Sequence, residues 1–432
     1  MGYLTDKATA AIARVESSAR DLGTIFVEFT PARILAEAAA IDARHDAGET
    51  LPLYGFLISL KDLVDEAGQR TTAGSRLFAD REPASADAEI VRRLKAAGAL
   101  SFGRTSMSEF AYSGLGLNPH HGTPGNVFDE TRIPGGSSSG AALTVALGWC
   151  DAAIGTDTGG SVRLPAAING LVGFKPTQAA VPRDGVHGLS DTFDSVGPLA
   201  AGVDTALRCH EILCGAPPGT FADAPLPDTP LRLGVPTGAF TDALDGTVAA
   251  AFEGVKARLV TAGHTLVDVD MVGIGALASA VRIVVATEAH VRYREHFATL
   301  ESIGDPSVLS RIRAAESFAP DEYDRAQSDH RRAVAAFANA LDGFDAMIAP
   351  TLAVEPPTIE EATTDFATVN PKVLGNTTLI NLTGGCGLTI PVSGAAGAPP
   401  AALMIAGPAG GDRDVLLAGR LLERQLRRDA PA

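Results

Sequence analysis

Glycine and serine crowd together twice within one stretch, Ile133 to Pro165. They appear first as Gly135-Gly136-Ser137-Ser138-Ser139-Gly140 and again as Gly159-Gly160-Ser161. Glycine beside serine lets the backbone come close to a ligand and adopt dihedral angles closed to other residues. Between the two clusters lies an apolar segment that reads as a buried helix followed by a short strand. Two such turns, facing each other across a helix and a strand, could hold two hydroxyls together. A serine hydroxyl is a weak nucleophile and needs a base beside it. The run Thr158-Gly159-Gly160-Ser161 adds a second capacity. Its successive backbone N–H groups can aim at one point and form an anion-binding nest where an oxyanion would develop.

Upstream, Lys61 sits in the apolar run Leu57-Ile58-Ser59-Leu60 before it and Leu63-Val64 after it. Read from this segment alone, a surface lysine capping a strand next to Asp62 is the favoured reading. Taken together, the three motifs resemble the signature of the amidase signature enzymes, serine hydrolases that use a Ser-Ser-Lys triad and no histidine. That pattern asks for a serine in a GGSS(G/S)G turn, a second in GTDxGGS and a lysine in an apolar-Lys-Asp segment. Here these are Ser137, Ser161 and Lys61, in the family's order and with its interval between the serines. Three linked motifs are far more specific than one Gly-rich loop. The resemblance is dense from about Leu51 to Ala200 and traceable to the C-terminus through Ala349-Pro350-Thr351 and Asn381-Leu382-Thr383-Gly384.

The resemblance implies a role for each residue. Ser161 would be the nucleophile, Ser137 a proton relay held in a cis peptide, and Lys61 the base. An exposed lysine, with a pKa of about 10.4, is protonated at neutral pH. Desolvation in an apolar pocket lowers that value and makes the amine available as a base. The oxyanion would rest on the amides of Thr158, Gly159, Gly160 and Ser161, and the substrate would meet Ala111, Ser113 and Thr158. The expected activity is hydrolysis of a carboxylic amide to an acid plus ammonia or an amine, with no cofactor and no metal. A homodimer is a further implication of the family. Asp157 and Arg163 read as an ion pair bracing the nucleophile turn. Leu164 occupies the third position after Ser161, where some relatives that cleave carboxylate-bearing amides carry an arginine, so that clamp is not carried over. His120, His121 and His187 have no role in the family's chemistry and read as surface or loop residues.

Two other functional readings compete. Gly136-Ser137-Ser138-Ser139-Gly140 formally matches the G-x-S-x-G elbow of α/β-hydrolases, with Ser138 as an esterase nucleophile, but that motif needs a strand immediately before it. What precedes is polar and broken by Pro134. The second reading is the glutaminase component of a tRNA-dependent amidotransferase, on the same fold, which would pass ammonia to a partner.

These residues need elements to position them. The sequence predicts two helices within 6–47, the second opening on Pro31, a favoured first-turn residue. A buried strand in 51–62 delivers Lys61 to its end. A helix over 85–97, with Asp87 as candidate N-cap and Gly98 as stop, precedes a strand over 99–105, so a partly parallel sheet is expected. Residues 106–132 read as loop, 139–148 as helix, 152–156 and 170–176 as strands. The Pro/Ala/Asp-rich run 216–230 reads as a surface connection. Strands are predicted over 231–236, 264–270, 345–351, 387–393 and 401–407, with helices over 247–262, most of 275–342, 372–384 and 412–427. Strands interleaved with helices indicate an α/β fold: one domain over 1–432, a mixed sheet covered by helices on both faces, as the resemblance also implies. Within it the signature core spans about 51–200, and a variable, substrate-shaping region about 275–370.

Composition sets outer limits. Of 432 residues, 46% are hydrophobic and 20% charged, so a large core can be buried. A net charge of −16 argues against direct nucleic-acid binding and against an anionic membrane, both of which need a basic face. The partner implied is a small-molecule amide. Cys150, Cys209, Cys214 and Cys386 follow no disulfide or zinc spacing. The first residues show no apolar leader core, Asp6 breaks the myristoylation pattern, and no apolar run of membrane-spanning length is evident, so a cytoplasmic protein is expected.

Overall fold

The computed structural model describes residues 2–227, 230–392 and 401–428. Its strands are β1 (Phe26–Glu28), β2 (Leu57–Lys61), β3 (Leu100–Thr105), β4 (Ala152–Asp157), β5 (Val172–Lys175), β6 (Ser195–Ala200), β7 (Arg232–Thr237), β8 (Thr265–Asp270), β9 (Ala346–Pro350), β10 (Cys386–Val392) and β11 (Ala401–Gly407). They form one 11-stranded sheet in the order β1-β3-β2-β4-β6-β5-β10-β11-β9-β7-β8. β2 runs parallel to β3 and β4, and β7 parallel to β8 and β9, whereas β6, β5, β10 and β11 are joined antiparallel. The sheet is mixed, and it is continuous from the N-terminal to the C-terminal third of the chain, so the molecule is a single domain.

Helices cover both faces. On β2, side chains alternate between the faces as a strand requires. Ile58 and Leu60 join a core with Leu94, Leu207 and Leu422 from the helices Glu89–Ala96, Val203–Cys214 and Asp412–Arg428. Leu57 joins the opposite core with Leu4, Ile34 and Leu143, from the helices Tyr3–Glu16, Pro31–Asp46 and Ser139–Ala146. Ser59 shares Leu57's face and hydrogen-bonds Thr144 of that last helix at 2.7 Å. Lys61, two residues on, therefore points to the side on which the helix begins at Ser139. A third core, under β9 and β11, packs Met347 and Met404 against Val284 and Phe337.

Several expectations need adjusting. β1 is not legible in the sequence because three residues are too few for a readable period. β6 is not legible because Gly197 and Pro198 usually argue against a central strand. Gly197 is there because a Cβ would lie 1.9 Å from the Phe174 carbonyl oxygen of β5. Asp87 does not cap the helix Glu89–Ala96. Its N-cap is Ala88, and the Asp87 carboxylate instead accepts from the Ala67 amide and Lys95. Ser393, the predicted end of β10, lies outside the described residues. One 18-residue window within Val272–Ile303 does reach the mean hydropathy of a membrane helix, 1.6. Its apolar side chains Val281, Ile283, Val284 and Val285, on the helix Ser279–Tyr293, are buried in the third core, which accounts for that hydropathy.

Candidate active site

Lys61 ends β2 and is fully buried. Its Nζ donates to Ser137 Oγ at 2.7 Å and to Thr156 Oγ1, near the end of β4, at 2.9 Å. Burial pushes its pKa down to about 7, against the opposing pull of the Asp194 and Asp157 carboxylates. The alternative of a surface lysine capping a strand is thereby excluded.

Ser137 follows a cis peptide bond, Gly136–Ser137, as the family resemblance implied. Residue 136 has to be glycine, because a Cβ there would lie 2.4 Å from the Gly116 amide nitrogen. The turn is fixed to its surroundings by backbone: Ser108 N donates to Ser137 O at 3.2 Å, and Ser138 N donates to Ser161 O at 3.3 Å. This second bond ties the two Gly-Ser clusters together, and the two turns do face each other.

The turn carrying Ser161 is organised by Asp157, the last residue of β4. Its carboxylate accepts from the amides of Gly160 at 2.8 Å and Val162 at 3.2 Å. It also takes two bonds from the Arg163 guanidinium, at 3.0 and 2.9 Å. Arg163 and Asp157 are both fully buried. Burial alone would raise the Asp157 pKa, but the Arg163 charge and its hydrogen bonds outweigh that and hold it at about 2. The expected bracing ion pair is present.

From the other side the turn is held by the helix Phe366–Leu382. Thr377 and Thr378 hydroxyls donate to Gly159 O at 2.7 and 3.1 Å, and Asn381 Oδ1 accepts from Arg163 at 2.7 Å. Gly160 has φ +135°, and a Cβ on it would lie 2.1 Å from Thr377 Oγ1, so only glycine fits. With the Gly159 carbonyl turned to these threonines, the amides of Thr158, Gly159 and Ser161 donate to no group among the described residues. The Gly160 amide departs from the expected four-donor nest, because it is already committed to Asp157.

Ser161 is buried, its Oγ has no hydrogen-bond partner among the described residues, and it lines a cavity of about 800 Å³. Ala111, Ser113 and Thr158 line the same cavity. Ala111 has φ +61°, and the Ser113 hydroxyl accepts locally from the Leu115 amide at 3.1 Å. Thr158 Oγ1 donates to Asp194 at 2.5 Å, and Asp194 also accepts from the Leu189 and Ser190 amides. Far from the sequence neighbourhood of the serines, Arg282, Arg311, Asn370 and Leu374 complete the walls.

The side chains of Ser138, at the start of the helix Ser139–Ala146, and of His120, His121 and His187, in loops, take no part in this geometry. Ser138 Oγ is buried without a partner and points at β4, 2.6 Å from where a Gly155 Cβ would be. No strand precedes it, so the esterase elbow has neither its strand nor an accessible hydroxyl. His120 and His187 are loop residues, as read, but neither side chain is loose: His120 is held by Glu109 at 2.9 Å and His187 by the Tyr293 hydroxyl at 2.8 Å. Among the described residues no cluster of His, Cys, Asp or Glu could hold a metal, and all four cysteines are free.

Sequence reasoning did not single out Thr156, Asp194, Thr377, Asn381, Arg282 or Arg311. Thr156 carried a signal as part of the GTDxGGS motif, Asp194 through its place in the densely similar 51–200 stretch and Asn381 through the Asn-Leu-Thr-Gly run. Thr377, Arg282 and Arg311 reach the site through tertiary contacts that no local pattern records.

Comparison with known proteins agrees with this geometry. The family described as Amidase matches residues 7–416. A 2-amino-5-chloromuconic acid deaminase of Comamonas testosteroni is 37% identical over 391 residues, covering 87% of this chain and 83% of the relative. One component of the glutamyl-tRNA(Gln) amidotransferase of Symbiobacterium thermophilum is 31% identical over 388 residues, covering 81% and 78%. Among solved structures, native peptide amidase from Stenotrophomonas maltophilia superposes with a TM-score of 0.81 at 27% identity, covering 98% of this chain and 94% of the other. The chain belongs to the amidase signature family, whose members typically carry a Ser-Ser-Lys triad, and is a hydrolase of amide C–N bonds.

Proposed function

We propose that this hydrolase cleaves a small carboxylic amide through an acyl-enzyme on Ser161, with Ser137 as proton relay and Lys61 as base. The observation that carries the reading is the buried Lys61 amine, its pKa lowered to about 7, at 2.7 Å from Ser137 Oγ. Neutral Lys61 takes the Ser137 proton as Ser137 takes that of Ser161, and Ser161 Oγ attacks the carbonyl carbon. The oxyanion rests on the amides of Thr158, Gly159 and Ser161. The relay then runs backwards to protonate the departing nitrogen, and water releases the acid. Ala111, Ser113 and Thr158 line the acyl portion.

The test is ammonia release together with covalent labelling by a fluorophosphonate. Wild type and Ser138→Ala are expected to turn over amides and take the label, and Ser161→Ala to do neither. Labelling that persists in Ser161→Ala would overturn the assignment. The reading as an amidotransferase glutaminase is supported by identity to the glutamyl-tRNA(Gln) amidotransferase relatives. It requires turnover confined to glutamine and partner proteins that co-purify.

A further inference from the structure

The cavity that holds Ser161 also holds two arginines, Arg282 on the helix Ser279–Tyr293 and Arg311 on the helix Pro306–Arg313. The fully buried arginines elsewhere are matched to carboxylates: Arg104 to Asp62 and Arg163 to Asp157, each at 2.9 Å. The cavity pair is different. Arg311 lies over the Tyr112 ring at 4.0 Å and spends one N–H on the Tyr112 carbonyl at 2.6 Å. Arg282 lies over the Phe318 ring at 5.2 Å. Among the described residues neither makes an ion pair, in a chain with 51 acidic residues against 35 basic ones.

A guanidinium offers five N–H donors in a rigid fork that fits a carboxylate. In Arg311 most of that fork is unused, and its contact with the Tyr112 ring and carbonyl holds it against the wall. Arg311, Arg282 and Tyr112 line the same cavity, where burial pushes the Tyr112 phenol pKa up against the downward pull of both arginine charges. The surrounding wall is apolar, with Val281, Val285, Phe366 and Leu374, so a charge–charge contact there is screened less than at the surface. We propose that Arg311 and Arg282 bind a carboxylate on the substrate. The substrate would then be a half-amide of a dicarboxylic acid, hydrolysed with water to the dicarboxylate and ammonia. The assignment rests on Ser161 acting as the nucleophile in this cavity.

The experiment compares kcat/KM for succinamate, glutaramate and adipamate with that for their uncharged methyl esters. At least one half-amide is expected to be preferred by about 10²-fold, the effect of a charge-assisted hydrogen-bonded pair. Arg311→Met and Arg282→Met are expected to bring the preference towards one by raising KM, and Arg311→Lys to retain about tenfold. Glutarate should protect Ser161 from fluorophosphonate in the wild type and fail to do so in Arg311→Met. A wild-type preference near one, with the neutral amides turned over and Ser161 labelled, overturns the carboxylate site and leaves the Ser161 assignment intact. Loss of all turnover and labelling instead overturns the Ser161 assignment. Glutarate binding by calorimetry then decides the arginine site: an affinity weakened by Arg311→Met sustains it, and no binding ends it.

Discussion

Lys61 and Lys175 are each the last residue of a strand, β2 and β5, and both are buried. Burial lowers both pKa values, to about 7 for Lys61 and about 8 for Lys175. What separates them is the chemistry of their partners. Lys61 donates to two hydroxyls, Ser137 and Thr156. Lys175 donates to two carbonyl oxygens, Pro176 O and Gly385 O, both at 2.7 Å. A hydroxyl can give its own proton back and pass one onward, whereas a carbonyl can only accept. In the mechanism proposed above one amine heads the proton path toward Ser161, and the other cross-links two segments of backbone. Burial prepares a lysine to act as a base, but only its partners decide whether it has anything to deprotonate.

The comparison can be broken at its catalytic end first. Ser161→Ala removes the terminus of the path and is expected to lower kcat by about 10⁶-fold, the scale seen when a serine hydrolase loses its nucleophile, read as ammonia release. Lys61→Ala is expected to cost about 10⁴-fold. In wild type, kcat/KM should rise tenfold per pH unit up to about 7 and then level, as Lys61 loses its proton. The linked stability effect has a definite sign. Between pH about 7 and 10.5 the folded state holds fewer protons at Lys61 than the unfolded chain does, so this group favours folding more as pH rises through that window.

Asp157→Asn sharpens the comparison, because the Asp157 charge raises the pKa of both lysines. Leaving Arg163 buried without its carboxylate is expected to cost about 3–5 kcal/mol in a denaturant titration. Lys175→Met should cost about 1–3 kcal/mol for each carbonyl left unpaired. Below its unfolding temperature that variant should keep the wild-type pH profile. A Lys175 variant with a shifted activity pKa would erase the distinction between the two amines. The smallest effect is expected for Ser138→Ala: its hydroxyl is buried without a partner, so its loss should leave turnover and stability nearly unchanged.

The same pair shows what sequence could and could not convey. Leu57-Ile58-Ser59-Leu60-Lys61 and Val172-Gly173-Phe174-Lys175 both read as apolar strands ending on lysine, and nothing local separates a base from a cross-link. Lys61 stood out because two Gly-Ser turns accompanied it in a known order. The buried strand ending on Lys61, the opening of the helix Pro31–Asp46 on its proline and the stop at Gly98 were legible because each depends on neighbouring residues. β6 was hidden because its Gly197 answers to a strand that touches it only in the folded state. The same holds for the threonines behind Gly159 and for the cavity arginines. Each acts on the site across a separation in sequence that leaves no periodicity to read. The Asp157 carboxylate also shows why the expected oxyanion nest changed: the side chain that shapes the turn consumes one of the turn's own donors.

The support that the helix Phe366–Leu382 and β10 lend to the serine turn bears on how the molecule is made. A ribosome delivers Lys61, Ser137 and Ser161 long before it delivers residues 377–392. Until then β5 lacks its β10 neighbour, the Gly159 carbonyl lacks its threonine donors, and Arg163 lacks the acceptor on Asn381. An unfinished chain thus carries all three reactive side chains without the frame that aligns them. The turn that carries Ser161 is therefore complete only once residues 377–392 are in place.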